Sequence, residues 1–315
     1  MVVLAIILSI IYIGFIGFVL KKIFEGDTYY LLLYILFTLP FYSTLQLVIF
    51  KGFNVIPFVN LLKYSKDFVF FTGFFILIFG KKESFIEREW QLTLLDKLFL
   101  GFMTLTLIYT LIPLGSASLL SKMIYAKNIF LMGIIYFLGR HTNIDEQRWR
   151  FIVKFIICLI VGSFLLALSE IISGVHLQSI LDYGRFNSIM YDVSPTGNYG
   201  LSWTFERQGS LPRFAAFFSN PLDFAASLLL FFSVGLNLLL HSKYNSNRLA
   251  YLGLLLLVIF SFFFSYSRGA IIASVILVFF TLFLEKKYFL LRIALGLVVM
   301  LVTYIFFSSY ELDYF

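Results

Sequence analysis

The sequence predicts an all-α, polytopic integral membrane protein with about ten transmembrane helices. Composition is the first reason: of 315 residues, 61% are hydrophobic and only 13% are charged, whereas a soluble domain carries about 25% charged residues. The second is that long apolar runs recur along the chain, with short charged loops between them. Since about 20 apolar residues cross a bilayer as a helix, these runs predict membrane spans.

The apolar runs place the predicted spans along the chain. They lie near residues 2–20, 29–50, 61–80, 98–115, 120–139, 151–172, 214–240, 249–266, 269–285 and 288–308. The first has no basic segment before it and no small-residue cleavage site after it, so we expect a retained span and not a signal peptide. The third is the weakest, because Lys63, Lys66 and Asp67 crowd its start. We treat residues 1–315 as a single transmembrane helical domain.

Basic residues predict the orientation of these spans. Of the 24 lysines and arginines, 15 fall in one alternating set of loops, which the positive-inside rule places in the cytoplasm. The loop of about residues 173–213, the short turn containing Arg268 and both termini then face outward. Connections longer than about 15 residues are usually functional or disordered, and the aromatic content of the 173–213 loop argues against disorder. We expect short interfacial helices there, roofing a cavity.

Two outward arginines are candidates for binding an anion. Arg268 lies in "SYSRGA" between two apolar runs, so we expect a tight turn, with Gly269 supplying backbone freedom. A snorkelling arginine at a helix end is the alternative explanation. Arg213 precedes a helix that Asn220 and Pro221 interrupt, for which a simple proline kink is the alternative. Together the two guanidinium groups, whose planar donors suit phosphate oxygens, predict a phosphate clamp.

Three short segments form a recognisable set: "LSEIISGVHL" at 168–177, "RFAAFFSNP" at 213–221 and "SYSRGA" at 265–270. Together they resemble a known family, the O-antigen ligase and Wzy-type O-antigen polymerase superfamily of bacterial envelope proteins. The resemblance implies a GT-C-like helical bundle, multi-pass in the bacterial inner membrane. The family often has glycine where Ala216 stands and a second asparagine where Leu222 stands. Its members also continue into a histidine-bearing loop and further helices, so we expect this chain to lack the C-terminal part.

The resemblance also implies an activity. The family transfers or polymerises a glycan from an undecaprenyl-diphosphate carrier to a glycan or lipid-linked acceptor at the outer face of the inner membrane. The substrate-binding candidates are Arg213, Arg268, Asn220 and Arg207. An acceptor hydroxyl needs a general base, and the candidates are Glu170 and His176, with Asp192 and Glu206 on the same side. Arginines can stabilise charge on a diphosphate leaving group without a metal, and no cofactor is expected.

The sequence supports other classes of protein less well than a glycan transferase. The sequence has no Cys/His cluster at ligand spacing, no Asp-x-Asp pair and no glycine-rich phosphate loop. The net charge of +7 fits loop lysines facing anionic lipid better than nucleic-acid binding. A flippase or transporter of lipid-linked oligosaccharide would also need outward arginines, but no internal repeat is apparent. An inactive truncated remnant is the remaining alternative.

Overall fold

A computed structural model describes residues 1–79, 92–112, 115–142, 144–206, 212–242, 245–292 and 295. The described residues form helices and no strand, with one isolated bridge between Glu206 and Pro212, which confirms the predicted all-α class. The helices are α1 (Val2–Phe24), α2 (Tyr29–Phe53), α3 (Ile56–Phe79), α4 (Leu94–Leu111), α5 (Leu119–His141), α6 (Glu146–Ser173), α7 (Leu177–Ile180), α8 (Tyr183–Tyr191), a 3-10 turn (Trp203–Phe205), α9 (Pro221–His241), α10 (Asn245–Ser265) and α11 (Arg268–Leu284).

Six of the described helices are long and apolar enough to cross a membrane: Val2–Phe24, Leu94–Leu111, Leu119–Arg140, Glu146–Ser173, Pro221–His241 and Asn247–Ser265. Helix α2 is bent around Pro40 and would add a seventh span if its two halves cross together. Helix α11 is shorter, at 17 residues, and most of the predicted span 288–308 lies outside the described residues. The protein is a helical membrane protein, and ten spans remain a prediction.

The chain divides into two compact units. The N-terminal unit comprises Met1–Ile152 and Leu181–Val193, and the C-terminal unit comprises Val153–Ile180 and Ser194–Phe315. The predicted outward loop therefore contributes to both units. Its expected short helices are present as α7, α8 and the 3-10 turn. Their position at a membrane interface, above a cavity, stays a prediction.

The N-terminal unit packs α1, α2 and α3 around buried aromatic side chains. Tyr34 is fully buried and meets the ring of Phe70 edge-on at 5.8 Å. Its hydroxyl lies 3.0 Å from that of Tyr12, which in turn lies 3.2 Å from the hydroxyl of Ser65. These contacts satisfy the polar atoms of the buried tyrosines, as a buried hydroxyl requires.

Two arginines of the N-terminal unit pair with carboxylates. Arg148 donates two hydrogen bonds to the two carboxylate oxygens of Asp27, at 2.9 and 2.8 Å. Arg140 forms an ion pair with Asp96, whose side chain is fully buried. Both arginines belong to the set that the sequence predicts to be cytoplasmic. Each therefore has its charge neutralised within the unit.

In the C-terminal unit, α9 packs against α10 and α11. Helix α9 begins at Pro221, with Asn220 as its N-cap. It therefore starts seven residues after the start of the predicted span 214–240, and the alternative prediction of a proline kink within the helix was wrong. Proline suits the first helical position because its missing N–H would have no partner there, and asparagine is a favoured N-cap. The residues from Arg213 to Asn220 are not helical and mostly buried.

Candidate functional site

Arg213 is held against the end of α10. Its main-chain N–H donates to the carbonyl of Phe205 at 2.8 Å, and its side-chain Nε–H donates to the carbonyl of Ser265 at 2.9 Å. The neighbouring Phe214 N–H donates to the carbonyl of Phe264 at 3.1 Å. These bonds join the segment that precedes α9 to the segment that precedes Arg268, although 52 residues separate Arg213 from Ser265.

The guanidinium of Arg213 is buried, and few interactions offset its loss of hydration. The residue is only 9% exposed, and burial lowers its pKa from the ordinary value. Arginine nonetheless stays charged at neutral pH. Among the described residues, no carboxylate pairs with it, and its terminal Nη groups make no hydrogen bond. The side chain is thus fixed through Nε while its outer donors stay available.

Arg268 is the first residue of α11, and its side chain is exposed. Only Tyr266 and Ser267 separate the end of α10 from the start of α11, which confirms the predicted tight turn. The prediction for Gly269 was wrong, because that glycine lies within α11 and the left-handed backbone is at Tyr266, with φ of 47°. The hydrogen bonds of Arg213 and Phe214 attach to the two residues directly before this turn.

Glu170 uses both carboxylate oxygens to hold main-chain groups. It is 3% exposed; Oε1 accepts from the N–H of Leu177 at 2.8 Å, and Oε2 accepts from the N–H of Ala216 at 3.1 Å. The carboxylate therefore ties the end of α6 to the start of α7 and to the segment before α9. Its predicted role as a general base is untested, but these contacts already give it a positioning role.

His176 lies in an aromatic box. It is 1% exposed, and its ring centroid lies 4.9 Å from that of Tyr199, 5.5 Å from Phe205 and 5.3 Å from Phe214. Its Nδ1 is buried without a hydrogen-bond partner in the described part of the chain. Burial lowers the pKa of the imidazole to about 4, so the ring is neutral at pH 7. The predicted base is present but shielded from water.

Gln178 holds the backbone before α9, a role that the sequence did not single out. Its Nε2 donates to the carbonyls of Ala216 at 2.8 Å and Phe218 at 2.6 Å. Glu170 and Gln178 thus hold Ala216 by its N–H and its carbonyl respectively. A glutamine in the short α7 carries no local signal for this role, since its partners are 38 and 40 residues away.

The backbone of Ala216 adopts an unusual conformation. Its φ is 50°, and the residue is fully buried. Left-handed backbone favours glycine, because a Cβ crowds the following carbonyl oxygen there. Ala216 is the position at which the resembled family often has glycine. Its N–H donates to Glu170 and its carbonyl accepts from Gln178, and these two hydrogen bonds hold the residue in this conformation.

The start of α9 carries a compact polar cluster. Asn220 Oδ1 accepts from the N–H groups of Leu222 and Asp223, both at 2.9 Å, and Nδ2 donates to Asp223 Oδ2 at 2.9 Å. The Ser219 hydroxyl also donates to Asp223. Asp223 is exposed; sequence reasoning passed over it, although an acidic residue three positions after an N-cap is a recognisable signal.

Three further predicted residues are Arg207, Glu206 and Asp192. Arg207 lies outside the described residues. The carboxylate of Glu206 accepts hydrogen bonds from the main-chain and side-chain nitrogens of Asn198. Asp192 ends α8 and belongs to the N-terminal unit. The described residues contain no group of three or more His, Cys, Asp or Glu side chains that could hold a metal ion.

Comparison with known proteins adds no relative. No model of a known family, no characterised protein and no solved structure matches the chain. The residues themselves are therefore the basis for inferring a function. They provide one rigidly held buried guanidinium, one exposed guanidinium at a turn, and an exposed carboxylate at the start of α9.

Proposed function

We propose that the protein transfers or polymerises a glycan from an undecaprenyl-diphosphate carrier to an acceptor at the outer face of the bacterial inner membrane. The observation that carries the proposal is the pair of hydrogen bonds from Arg213 and Phe214 to the carbonyls of Ser265 and Phe264. They attach the two arginine-bearing segments to each other. Those segments are the ones that resemble the O-antigen ligase and polymerase superfamily.

Glycan transfer from a diphosphate carrier requires cationic hydrogen-bond donors at the leaving group. Cleavage of the bond between sugar and diphosphate builds negative charge on phosphate oxygens, and donors fixed in advance stabilise that charge most. Arg213 fits this requirement, because its Nε is committed to Ser265 while its Nη groups make no hydrogen bond with described residues. Arg268, exposed at the start of α11, supplies the second guanidinium.

The acceptor hydroxyl needs a base, and the candidates differ in access. Glu170 and His176 are both buried, and both oxygens of Glu170 already accept main-chain hydrogen bonds. Asp223 has an exposed side chain ten residues after Arg213. We add Asp223 to Glu170 and His176 as a candidate base. Glu170 and Gln178 then position the backbone on which Arg213 and Asp223 are carried.

The left-handed backbone at Ala216 also supports the proposal. A position that the resembled family often fills with glycine has, in this chain, the backbone conformation that glycine favours. The proposed site therefore includes a local backbone shape as well as two arginines. We also propose that the chain has the GT-C-like topology of the resembled family, with ten spans in the inner membrane.

The experiment compares three arginine variants of the full chain. Membrane vesicles containing the wild type, Arg213→Ala, Arg268→Ala or the control Arg150→Ala receive a lipid-diphosphate-linked oligosaccharide and an acceptor glycan. Each clamp variant should transfer glycan about 100-fold to 1,000-fold more slowly, as loss of one transition-state donor does. Arg150 is an exposed residue paired with Glu146 within α6, and its variant should transfer at the wild-type rate.

Three results would contradict the proposal. The first is transfer at the wild-type rate by both clamp variants, provided that each is inserted in the membrane in normal amount. The second is a wild type that moves the lipid-linked oligosaccharide between leaflets without forming product, which surface labelling of the glycan detects and which identifies a flippase. The third is a wild type that neither transfers nor moves the oligosaccharide, which identifies an inactive remnant.

A further inference from the structure

A lysine cluster lies within the N-terminal unit and includes none of the residues used above. Lys63 and Lys66 lie one turn apart on α3, and Lys127 lies on α5, which contacts α3. The nearby carboxylate is Asp67, and its Oδ2 forms an ion pair with Lys127. Its other oxygen, Oδ1, is buried and accepts no hydrogen bond from described residues. Three lysines therefore share one carboxylate that is already committed.

The two remaining ammonium groups lie over aromatic rings. Lys63 Nζ is 4.4 Å from the ring centroid of Tyr191, and Lys66 Nζ is 4.4 Å from that of Tyr42. Neither ammonium has a hydrogen bond or ion pair with any described residue. A cation–π contact replaces only part of the hydration that an ammonium loses on partial burial.

Tyr42 is itself held in position. Its hydroxyl donates to the carbonyl of Lys63 at 2.9 Å and accepts from Nε2 of Gln46, which is 4% exposed, at 3.1 Å. The ring beneath Lys66 is therefore fixed by contacts from α2 and α3. Lys66, Asp67 and Lys127 interact electrostatically, and so do Tyr42 and Asp67. The charges and rings form one site.

Depth within the helix makes the unpaired charges notable. Helix α3 begins at Ile56, so a rise of 1.5 Å per residue places Lys63 and Lys66 about 10 and 15 Å along it. A lysine that only marks a helix end would extend toward water. These two instead keep their ammonium groups over tyrosines. Within a transmembrane segment, as the sequence predicts α3 to be, cations usually line a path or a binding site for an ion or substrate.

We propose that Lys63, Lys66 and Lys127 bind a phosphate-type anion, with Tyr42 and Tyr191 as the walls of the site. Lysine binds phosphate as a point charge with three donors. A phosphate would neutralise the positive charge of the lysines that the single carboxylate of Asp67 does not balance. The source is either the headgroup of an acidic phospholipid or a free phosphate ion. This site belongs to the N-terminal unit and does not rest on the proposed glycan transfer.

The test uses full-length protein in lipid nanodiscs. Discs of phosphatidylcholine alone receive inorganic phosphate, and a second set contains increasing phosphatidylglycerol; retained lipid is measured by native mass spectrometry and phosphate by calorimetry. Binding in the second set identifies a headgroup, and binding in the first identifies free phosphate. Lys63→Gln and Lys66→Gln should each weaken binding at least tenfold, whereas Lys66→Arg should retain it. Lys21→Gln is the matched control, because Lys21 is an exposed lysine of α1.

A structural role for the lysines predicts different results. If the ammonium groups served only to pack against tyrosines, Lys66→Gln would lower the melting temperature in neutral discs, with no effect of either anion on the wild type. The proposed site predicts that the anion raises the wild-type melting temperature and not that of Lys66→Gln. Equal retention of the two lipids with no phosphate binding overturns the proposal, and so does an equal loss of binding in Lys21→Gln.

Discussion

Arginines of the two units have different kinds of partner. In the N-terminal unit, Arg148 and Arg140 each pair with a carboxylate, Asp27 or Asp96. In the C-terminal unit, Arg213 is buried and donates to a carbonyl, and no described carboxylate accompanies it. A carbonyl dipole orients a guanidinium but leaves its charge in place. The paired arginines therefore contribute to the fold, whereas no described carboxylate neutralises the charge of Arg213.

The largest effect on stability should come from the ion pair between Arg140 and the buried Asp96. Asp96→Asn removes a fully buried charge that accepts from Tyr136 and pairs with Arg140. Breaking such a pair on one side should lower the free energy of unfolding by about 3 kcal/mol. The measurement is unfolding by sodium dodecyl sulfate in dodecyl maltoside micelles, followed by circular dichroism. Glycan transfer per folded molecule should not change.

An exposed pair provides the control for Asp96→Asn. Glu146 and Arg150 also form an ion pair, but their side chains are 79% and 68% exposed. Glu146→Gln should therefore change the free energy of unfolding by less than about 1 kcal/mol. Equal losses in the two variants would show that burial of the carboxylate does not distinguish the pairs.

The second largest effect should be a pH dependence of folding stability that comes from His176. Its pKa in the folded protein is about 4, below the ordinary 6.5, so protonation favours the unfolded state. The stability is complete above pH 6.5 and is lost as pH falls toward 4, by up to about 3 kcal/mol. His176→Phe, an apolar ring among three aromatic rings, should flatten this part of the pH profile.

His241 serves as the control for the pH profile. Its side chain is 54% exposed, so His241→Gln should leave the loss of stability between pH 6.5 and 4 intact. A wild-type profile that His176→Phe does not alter would contradict the assignment to His176. Transfer activity of His176→Phe is a separate readout, because the loss of a general base would lower the rate at constant stability.

The smallest effect concerns the backbone beside Arg213. Ala216→Gly should raise the free energy of unfolding by about 0.5–1 kcal/mol, because glycine accepts positive φ without the crowding that Cβ brings. Ala216→Val should do the reverse at this buried site. The detergent titration used for Asp96→Asn measures both. Destabilisation by glycine would mean that the left-handed conformation at residue 216 carries no strain.

Sequence reasoning found the helices more readily than their ends. Apolar length is a local property, so α1, α4, α5, α6, α9 and α10 were predicted from runs of residues. The pair Asn220–Pro221 reads equally as a kink within a helix or as an N-cap with proline in the first position. Only the buried, non-helical segment from Arg213 to Ser219 decides between them, and no local pattern predicts that segment.

The candidate site was predictable in its charges and not in its contacts. Arg213 and Arg268 stand out because charged residues are rare beside apolar runs. The bonds that define the site run from Glu170 to Ala216 and from Arg213 to Ser265, which are 46 and 52 residues apart. Such pairings depend on how the helices pack. Glu170 was singled out as a base, and its two main-chain partners were not foreseen.

The long separation between Glu170 and Ala216 has a consequence for biosynthesis. Chains are made at about 5–20 residues per second, so the 46 residues that separate the two partners take seconds to synthesise. Glu170 therefore leaves the ribosome seconds before Ala216 does, and in that interval one of its oxygens lacks the N–H that it binds in the folded protein. We expect α6 to enter the membrane with this carboxyl group incompletely satisfied and the later segment to complete it.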